Sequence, residues 1–181
     1  MKKIFLATAL GAALVLSGCS TTNSIPYKAS TANVIKMQQV LKESGKTLNV
    51  GTISTAEGVS ESPMCRLMGP VKVAPGKTMT QYIADALQEE LFMAQVYDVT
   101  SPSTLSAQVT ELSFSSVYPA TWTIGMDLSS NNGTSYSVNT KYEFNTSWDA
   151  YSACKNVADA FGPAVQDLIG KIVNAPEFGQ L

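Results

Sequence analysis

The chain contains no histidine among its 181 residues. Histidine is the side chain whose charge ordinarily changes near neutral pH, so its absence removes the Ser-His-Asp and Cys-His arrangements and most zinc sites. Catalysis by carboxylates alone or by lysine stays open. We nevertheless expect a protein that is not an enzyme and that has neither a metal site nor a cofactor.

Charged residues are scarce, at 14% of the chain against about 25% in typical globular domains. Residues 1–18 contain Lys2 and Lys3 and no acidic residue, so the rest of the chain has 10 Lys and Arg against 14 Asp and Glu, a balance of −4. Binding to nucleic acid, and electrostatic binding to anionic lipid, both need clustered Lys and Arg residues. We therefore expect no nucleic-acid partner.

Long apolar runs are also absent, apart from one over residues 4–16. A membrane-spanning helix needs about 20 apolar residues, so this run of 13 is too short to remain as an anchor. Lys2 and Lys3 precede the run and supply a positive start. This pattern is typical of a secretory signal peptide, which is removed from the mature protein.

The apolar run ends in Leu16-Ser17-Gly18-Cys19, which is similar to the bacterial lipobox. In that family, the cysteine thiol receives a diacylglyceryl group, the chain is cut before the cysteine, and the new amine is acylated. The resemblance implies a signal peptide over residues 1–18, recognised by the signal peptidase through Leu16, Ser17 and Gly18, and lipidation of Cys19. The alternative is an ordinary signal peptide followed by a chance cysteine.

Ser20 follows that cysteine. In lipoproteins of enteric-type bacteria, aspartate at this place favours retention in the inner membrane, whereas most other residues direct export to the outer membrane. The resemblance therefore implies lipid anchoring in the outer membrane with the protein facing the periplasm. The outer leaflet of the inner membrane and the cell surface are the alternatives. Residues 19–33 are predicted to form a polar tether, and residues 34–181 a single domain.

Apolar spacing predicts the secondary structure of that domain. Its elements in chain order are a short helix over 33–43, strands over 47–53 and 65–73, a helix over 78–94, a strand over 105–114, a hairpin with strands over 122–128 and 136–144, and a helix over 149–173. The two long helices each have one apolar side. We therefore predict an α+β fold in two layers, a mainly antiparallel sheet with two long helices on one face.

Three irregularities are expected within these elements. Gly69-Pro70 interrupts the second strand, which should therefore be an edge or bulged strand. The apolar phase changes near Thr110-Glu111, where a β-bulge would reconcile the two halves of the strand. Gly162-Pro163 should kink the last helix without loss of its apolar stripe.

Cys65 and Cys154 remain after Cys19 is assigned to the lipid. An oxidising envelope allows such a pair to form a disulfide, which would join the second strand to the start of the last helix. The alternative is two buried free thiols. The chain has no C-x-x-C motif, so a redox-active pair is not expected.

Two polar motifs resemble functional sites without matching them. The stretch APGKT, residues 74–78, resembles the end of a phosphate-binding loop, but the glycine required five residues before Gly76 is replaced by Val71. We therefore expect no nucleotide partner. Asp85, Glu89 and Glu90 are expected to form the solvated face of the first long helix.

Four aromatic residues lie near predicted strand ends, namely Tyr118, Trp122, Trp148 and Tyr151. Aromatic side chains in such positions form binding grooves for peptides, glycans or protein partners. Packing in the core is the alternative for each of them. An exposed cluster would favour the binding surface.

Residues from about 76 to 178 carry a resemblance to a known family. A helix ends in ALQEELFMAQVYDV, a strand contains LSAQVTELSFSSV, a hairpin follows, and a helix closes in AVQDLIGKIVNAPEF. This order is similar to YajG-like bacterial lipoproteins and, more remotely, to auxiliary lipoproteins of envelope ABC transporters. The N-terminal helix and the Cys65–Cys154 pair depart from the family pattern.

The resemblance implies a non-catalytic, periplasm-facing domain. Our first hypothesis is a lipid-anchored interaction module that binds an envelope protein or assists assembly or transport. The second is a binding protein for a small apolar or glycan ligand. An envelope hydrolase is the remote alternative, and it would need carboxylates that converge in a cleft.

Overall fold

The computed structural model describes residues 21–22 and 25–181, so the predicted signal peptide, Cys19 and Ser20 lie outside the described residues. The elements are strands and helices in mixed order. They are β1 (Thr21–Thr22), α1 (Thr31–Met37) continued by a π-helix (Gln38–Lys42), β2 (Asn49–Thr55), β3 (Val71–Lys72), α2 (Met79–Met93), β4 (Thr104–Ser115), β5 (Ala120–Ser130), β6 (Ser135–Phe144), α3 (Ala150–Asn174) and a 3₁₀-helix (Pro176–Gln180).

The main sheet has four strands in the order β2-β4-β5-β6. The β4–β5 and β5–β6 pairs are antiparallel, and the β2–β4 pair is parallel. A parallel pair needs a long crossover connection, and the segment that contains α2 supplies it. The predicted two-layer α+β fold with a mainly antiparallel sheet is confirmed. The short helix predicted over residues 33–43 is also present, as α1 with its π-helical continuation, and α1 packs against α2 and α3.

A β-bulge interrupts β4 at the predicted position. Val109 pairs with Met126 and Glu111 with Gly125, so Thr110 is the extra residue. The bulge shifts the side-chain alternation by one residue. As a result, Val109 and Leu112 both face the core, although they are an odd number of positions apart.

The strand predicted over residues 65–73 is wrong for most of its length. Only Val71–Lys72 is extended, and it pairs in parallel with β1 in a separate two-stranded sheet. Before it, the backbone folds on itself, since the Cys65 N–H donates to the Gly69 carbonyl at 3.0 Å. Gly69 has a φ of +97°, a conformation that glycine adopts without a steric penalty, and it ends any regular strand there.

Side-chain caps begin both long helices. The Thr78 hydroxyl accepts from the Gln81 N–H while the Gln81 side chain accepts from the Thr78 N–H, which is a capping box. Asp149 caps α3 by accepting from the Ser152 N–H. The helix then continues through Pro163 to Asn174.

The core lies between the sheet and the helices. It includes Trp122 and Ile124 of β5, Leu87 of α2, and Phe161 and Leu168 of α3. Within the described part of the chain, no helix is both long and apolar enough to cross a membrane.

Candidate functional site

Trp122 belongs to the core, so its prediction as a binding-surface residue is wrong. Its side chain is 0% exposed, and its indole N–H donates to the Val157 carbonyl at 2.8 Å. The rings of Phe114 and Phe161 lie 5.0 Å from it, centroid to centroid. The alternation of β5 explains the error, since Trp122 shares its face with Ile124 and Met126, which also point into the core.

The other three predicted aromatic residues are exposed. Trp148, Tyr118 and Tyr151 have relative exposures of 102%, 91% and 66%. Large apolar side chains from neighbouring loops are exposed in the same way, with Leu67 at 100%. We call this set the apolar end, and its members are Met64, Leu67, Val117, Tyr118, Trp148 and Tyr151.

Arg66 joins the three loops that carry the apolar end. Its guanidinium donates to the Ser116 carbonyl at 2.9 Å and to the Ser116 hydroxyl at 3.1 Å, in the β4–β5 turn. It also donates to the carbonyls of Ser147 at 3.4 Å and Trp148 at 3.2 Å, just before α3. The planar donors of one side chain therefore hold the loops in a fixed arrangement.

A disulfide between Cys65 and Cys154 attaches the first of these loops to α3, as predicted from the sequence. Arg66, the next residue, has a φ of +49°, a conformation that costs a non-glycine residue energy. Such a conformation persists only where the surroundings enforce it. The disulfide on one side and the guanidinium hydrogen bonds on the other provide that constraint, so Leu67 is presented on a rigid loop.

A groove of about 530 Å³ opens at the apolar end. Its lining consists of Arg66, Val117, Tyr118, Thr146, Ser147 and Trp148. A larger concavity, of about 690 Å³, lies on the uncovered face of the sheet and is lined largely by polar side chains such as Ser106, Asp127 and Ser137. Of these two concavities, the groove is the one that combines aromatic and apolar walls with a cation, which is the usual composition of a binding site.

Glu90 corrects another expectation, because it does not lie on the solvated face of its helix. Asp85 and Glu89 are exposed as predicted, but Glu90 is 0% exposed. Its carboxylate accepts from the Tyr27 hydroxyl at 2.7 Å and from the Ser30 N–H at 2.8 Å. Sequence reasoning missed this contact because the partners lie some 60 residues away, in a segment expected to be a free tether.

The segment before α1 is fixed to the domain by further contacts. The Gln166 side chain donates to the Lys28 carbonyl, and the Asn33 amide donates to the Gln166 carbonyl at 2.9 Å. The ring of Tyr27 meets that of Tyr82 edge to face at 5.9 Å. Residues 27–33 fall within the predicted tether, yet they pack against α2 and α3.

Burial raises the pKa of the Glu90 carboxyl above its usual value, while the hydrogen bonds from Ser30 and Tyr27 act in the opposite direction. Burial also raises the pKa of Tyr27, and its hydrogen bond to Glu90 adds to that effect. The phenol therefore stays protonated and able to donate. This carboxyl group is enclosed by the N-terminal segment and does not open to a cleft.

We expect the substitution Glu90→Gln to change the pH dependence of stability. A carboxyl whose pKa is raised by folding binds its proton more tightly in the folded state. The stability that this proton adds is fully present below the pKa of the unfolded chain, about 4.3. It is lost as the pH rises through the higher pKa of the folded protein. The free energy of unfolding of the variant relative to the parent should therefore rise with pH, by about 1–3 kcal/mol at neutral pH. Urea unfolding at a series of pH values measures it.

The matched control is Glu89→Gln, which makes the same chemical change at the exposed neighbouring position. Because that side chain is exposed, its substitution should change the free energy of unfolding by less than about 0.5 kcal/mol. Parallel pH profiles for the two variants would show that Glu90 titrates as a solvated carboxyl.

The described residues contain no group of three or more Cys, Asp or Glu side chains placed to hold a metal ion. Sequence reasoning also missed Arg66 and Leu67 as site residues. The only signal in the sequence was a large apolar residue two positions after a cysteine, in a segment containing Gly69-Pro70. That signal does not distinguish a core strand from an exposed loop.

No protein-family model matches the chain, and no curated protein matches it. A crystal structure of a Xanthomonas campestris protein of the family DUF330 has a similar fold, with a TM-score of 0.52 at 14% identity, over 85% of this chain and 94% of that chain. A crystal structure of an uncharacterized protein matches with a TM-score of 0.41 at 12% identity, over 70% and 92% of the two chains. The first likeness shows a shared fold and no more.

Proposed function

We propose that this protein is a lipid-anchored accessory protein of the bacterial envelope that acts by binding through its apolar end. The observation that carries the proposal is the exposure of Trp148, Leu67 and Tyr118, with relative exposures between 91% and 102%. Large apolar side chains grouped on a surface are typical of interaction sites. Aromatic residues and arginine are also the types most enriched in such sites.

The rigidity of the apolar end supports this proposal. The Cys65–Cys154 disulfide and the hydrogen bonds of Arg66 fix the loops before any partner arrives. A preorganised surface loses little conformational freedom on binding, so more of the contact energy appears as affinity. These loops therefore have the properties of a binding surface.

The anchor and the location rest on the lipobox and on Ser20. A polar, mildly acidic body with no histidine fits a role in binding better than one in catalysis. A module that only binds needs a partner, and we place that partner in the envelope, facing the periplasm. Assistance to the assembly or transport of envelope components is the corresponding activity, in keeping with the resemblance to YajG-like and transporter-associated lipoproteins.

A second candidate function is the binding of a small apolar or glycan ligand in the groove. Its volume of about 530 Å³ lies within the range of ligand sites. Tyr118 and Trp148 offer aromatic faces on which a sugar ring can stack, and Arg66 lies beside them. The remote hydrolase hypothesis has less support, since the buried carboxyl of Glu90 is enclosed by Tyr27 and Ser30.

Site-specific photocrosslinking in intact cells tests the proposed function. A photoreactive phenylalanine analogue replaces Tyr118 at the apolar end, and in a control strain it replaces Val99, which is exposed in the α2–β4 connection. We expect adducts at position 118 well above those at position 99. The same probe in a Cys19→Ser background should lose those adducts, because the unacylated protein no longer stays at the membrane.

Equal and low yields at positions 118 and 99 would contradict binding through the apolar end. An acylated parent protein that fractionates like the Cys19→Ser variant would contradict the anchor. The two parts of the proposal therefore fail independently.

A further inference from the structure

We infer that the apolar end docks on the lipid bilayer that holds the N-terminal anchor, with Trp148, Tyr118 and Leu67 at the depth of the headgroups. This inference rests on the proposed function and names the partner of the same surface. Tryptophan and tyrosine concentrate at membrane interfaces because their rings are apolar and carry one polar group. The apolar end combines both residue types with the fully exposed side chain of Leu67.

The position of the N-terminal strand indicates that the bilayer is what contacts the apolar end. β1 is parallel to β3, with Thr21 opposite Val71 and Thr22 opposite Lys72. The first residue of β1 therefore lies at the same end of this small sheet as the loop that leads into β3. Cys19 precedes Thr21 by two residues, and two residues of chain reach at most about 7 Å.

The same loop carries Leu67. The Val71 N–H donates to the Pro63 carbonyl at 2.9 Å, which closes the loop at its base, and the Met68 N–H donates to the Cys65 carbonyl at 3.0 Å, which folds its tip. Leu67 is fully exposed on this short, closed loop. Acyl chains on Cys19 would therefore bring the bilayer to the side of the domain where Leu67 protrudes.

The charges of this region indicate that apolar contact, not electrostatic attraction, carries the docking. The Arg66 guanidinium donates its hydrogen bonds to backbone carbonyls of the protein itself. The acidic residue Asp149, which caps α3, follows Trp148 directly. The mature body has no excess of basic residues. Docking should therefore depend little on salt or on the anionic lipid fraction, unlike polybasic binding.

The opposite end of the domain provides an internal reference. Val99 is exposed just before β4, whereas the apolar end follows the last residue of that strand. A strand of 12 residues spans about 40 Å. Docking at the apolar end therefore keeps Val99 far from the bilayer, and an unoriented domain would expose both positions equally.

Tryptophan fluorescence tests the inference, because the chain has only two tryptophans and Trp122 is buried. The acylated full-length protein is reconstituted in vesicles of phosphatidylethanolamine and phosphatidylglycerol that contain lipid brominated near the headgroup. We expect bromolipid to quench the exposed Trp148 by half or more. The variant Trp148→Phe should show little quenching, and Trp148→Phe with Val99→Trp should resemble it.

Several results would overturn the docking. One is unquenched Trp148 in protein that still floats with the vesicles, and another is equal quenching of tryptophan at positions 148 and 99. In cells, adducts of the probe at position 118 with protein instead of lipid would show that a protein occupies the apolar end. Protein adducts at position 118 would contradict docking on the bilayer but agree with the proposed function. The absence of any adduct at position 118 would contradict both the docking and the proposed function.

Discussion

Replacement of Trp122 by alanine is expected to lower the free energy of unfolding by about 3–5 kcal/mol. Trp122 is the largest fully buried side chain, and it fills the space between Phe114 of β4 and Phe161 of α3. Its removal leaves a cavity where the sheet meets the helices and deprives the Val157 carbonyl of the indole donor. Urea unfolding followed by circular dichroism measures the effect.

The matched control is Trp148→Ala, the same substitution at an exposed position. It removes no packed contact of the core, so the expected change lies within about 0.5 kcal/mol of the parent. Equal losses for the two variants would mean that Trp148 is packed in solution. The structure would then be wrong about the exposure of Trp148 at the apolar end.

Removal of the disulfide has the second large effect. The double variant Cys65→Ala, Cys154→Ala should lose about 2–4 kcal/mol of unfolding free energy, because the bond closes a long loop in the unfolded chain. The two cysteines lie 89 positions apart. Alanine avoids burial of a new hydroxyl group at these two fully buried positions.

Reductant provides the second arm of this experiment. Reduced parent protein should unfold at nearly the same urea concentration as the double variant, and the variant itself should not respond to reductant. Hydrogen exchange should also accelerate in residues 64–70, which lose their covalent attachment to α3, and much less in β5. A parent protein whose unfolding is indifferent to reductant would contradict a stabilising disulfide.

Local patterns predicted most of the fold. The bulge at Thr110 followed from a change of apolar phase within one strand, and the start of α2 from the capping residue Thr78. The Cys65–Cys154 pairing followed from elimination, since only two cysteines remained after Cys19. Each of these inferences uses residues close in sequence or few in number.

The errors arose where distant residues decide the environment. In the sequence, Glu90 resembles any polar residue on a helix. It becomes a buried hydrogen-bond acceptor because Tyr27 and Ser30 of the N-terminal segment pack against α2. Trp122 was assigned to a surface because it lies near a strand end, although the strand buries that face. The segment 65–73 has the apolar content of a strand, but a disulfide and a left-handed residue fold it into a loop.

The attachment of the N-terminal segment sets how the domain would respond to tension on its proposed anchor. A pull would reach Thr21 first and would shear β1 along Val71–Lys72, since the two strands run parallel. If that pair separated, the six peptide units from Thr21 to Tyr27, the first residue bonded to Glu90, would extend to at most about 20 Å. The Glu90 contacts would then take up the force. Distance from the bilayer would thus increase in two discrete steps.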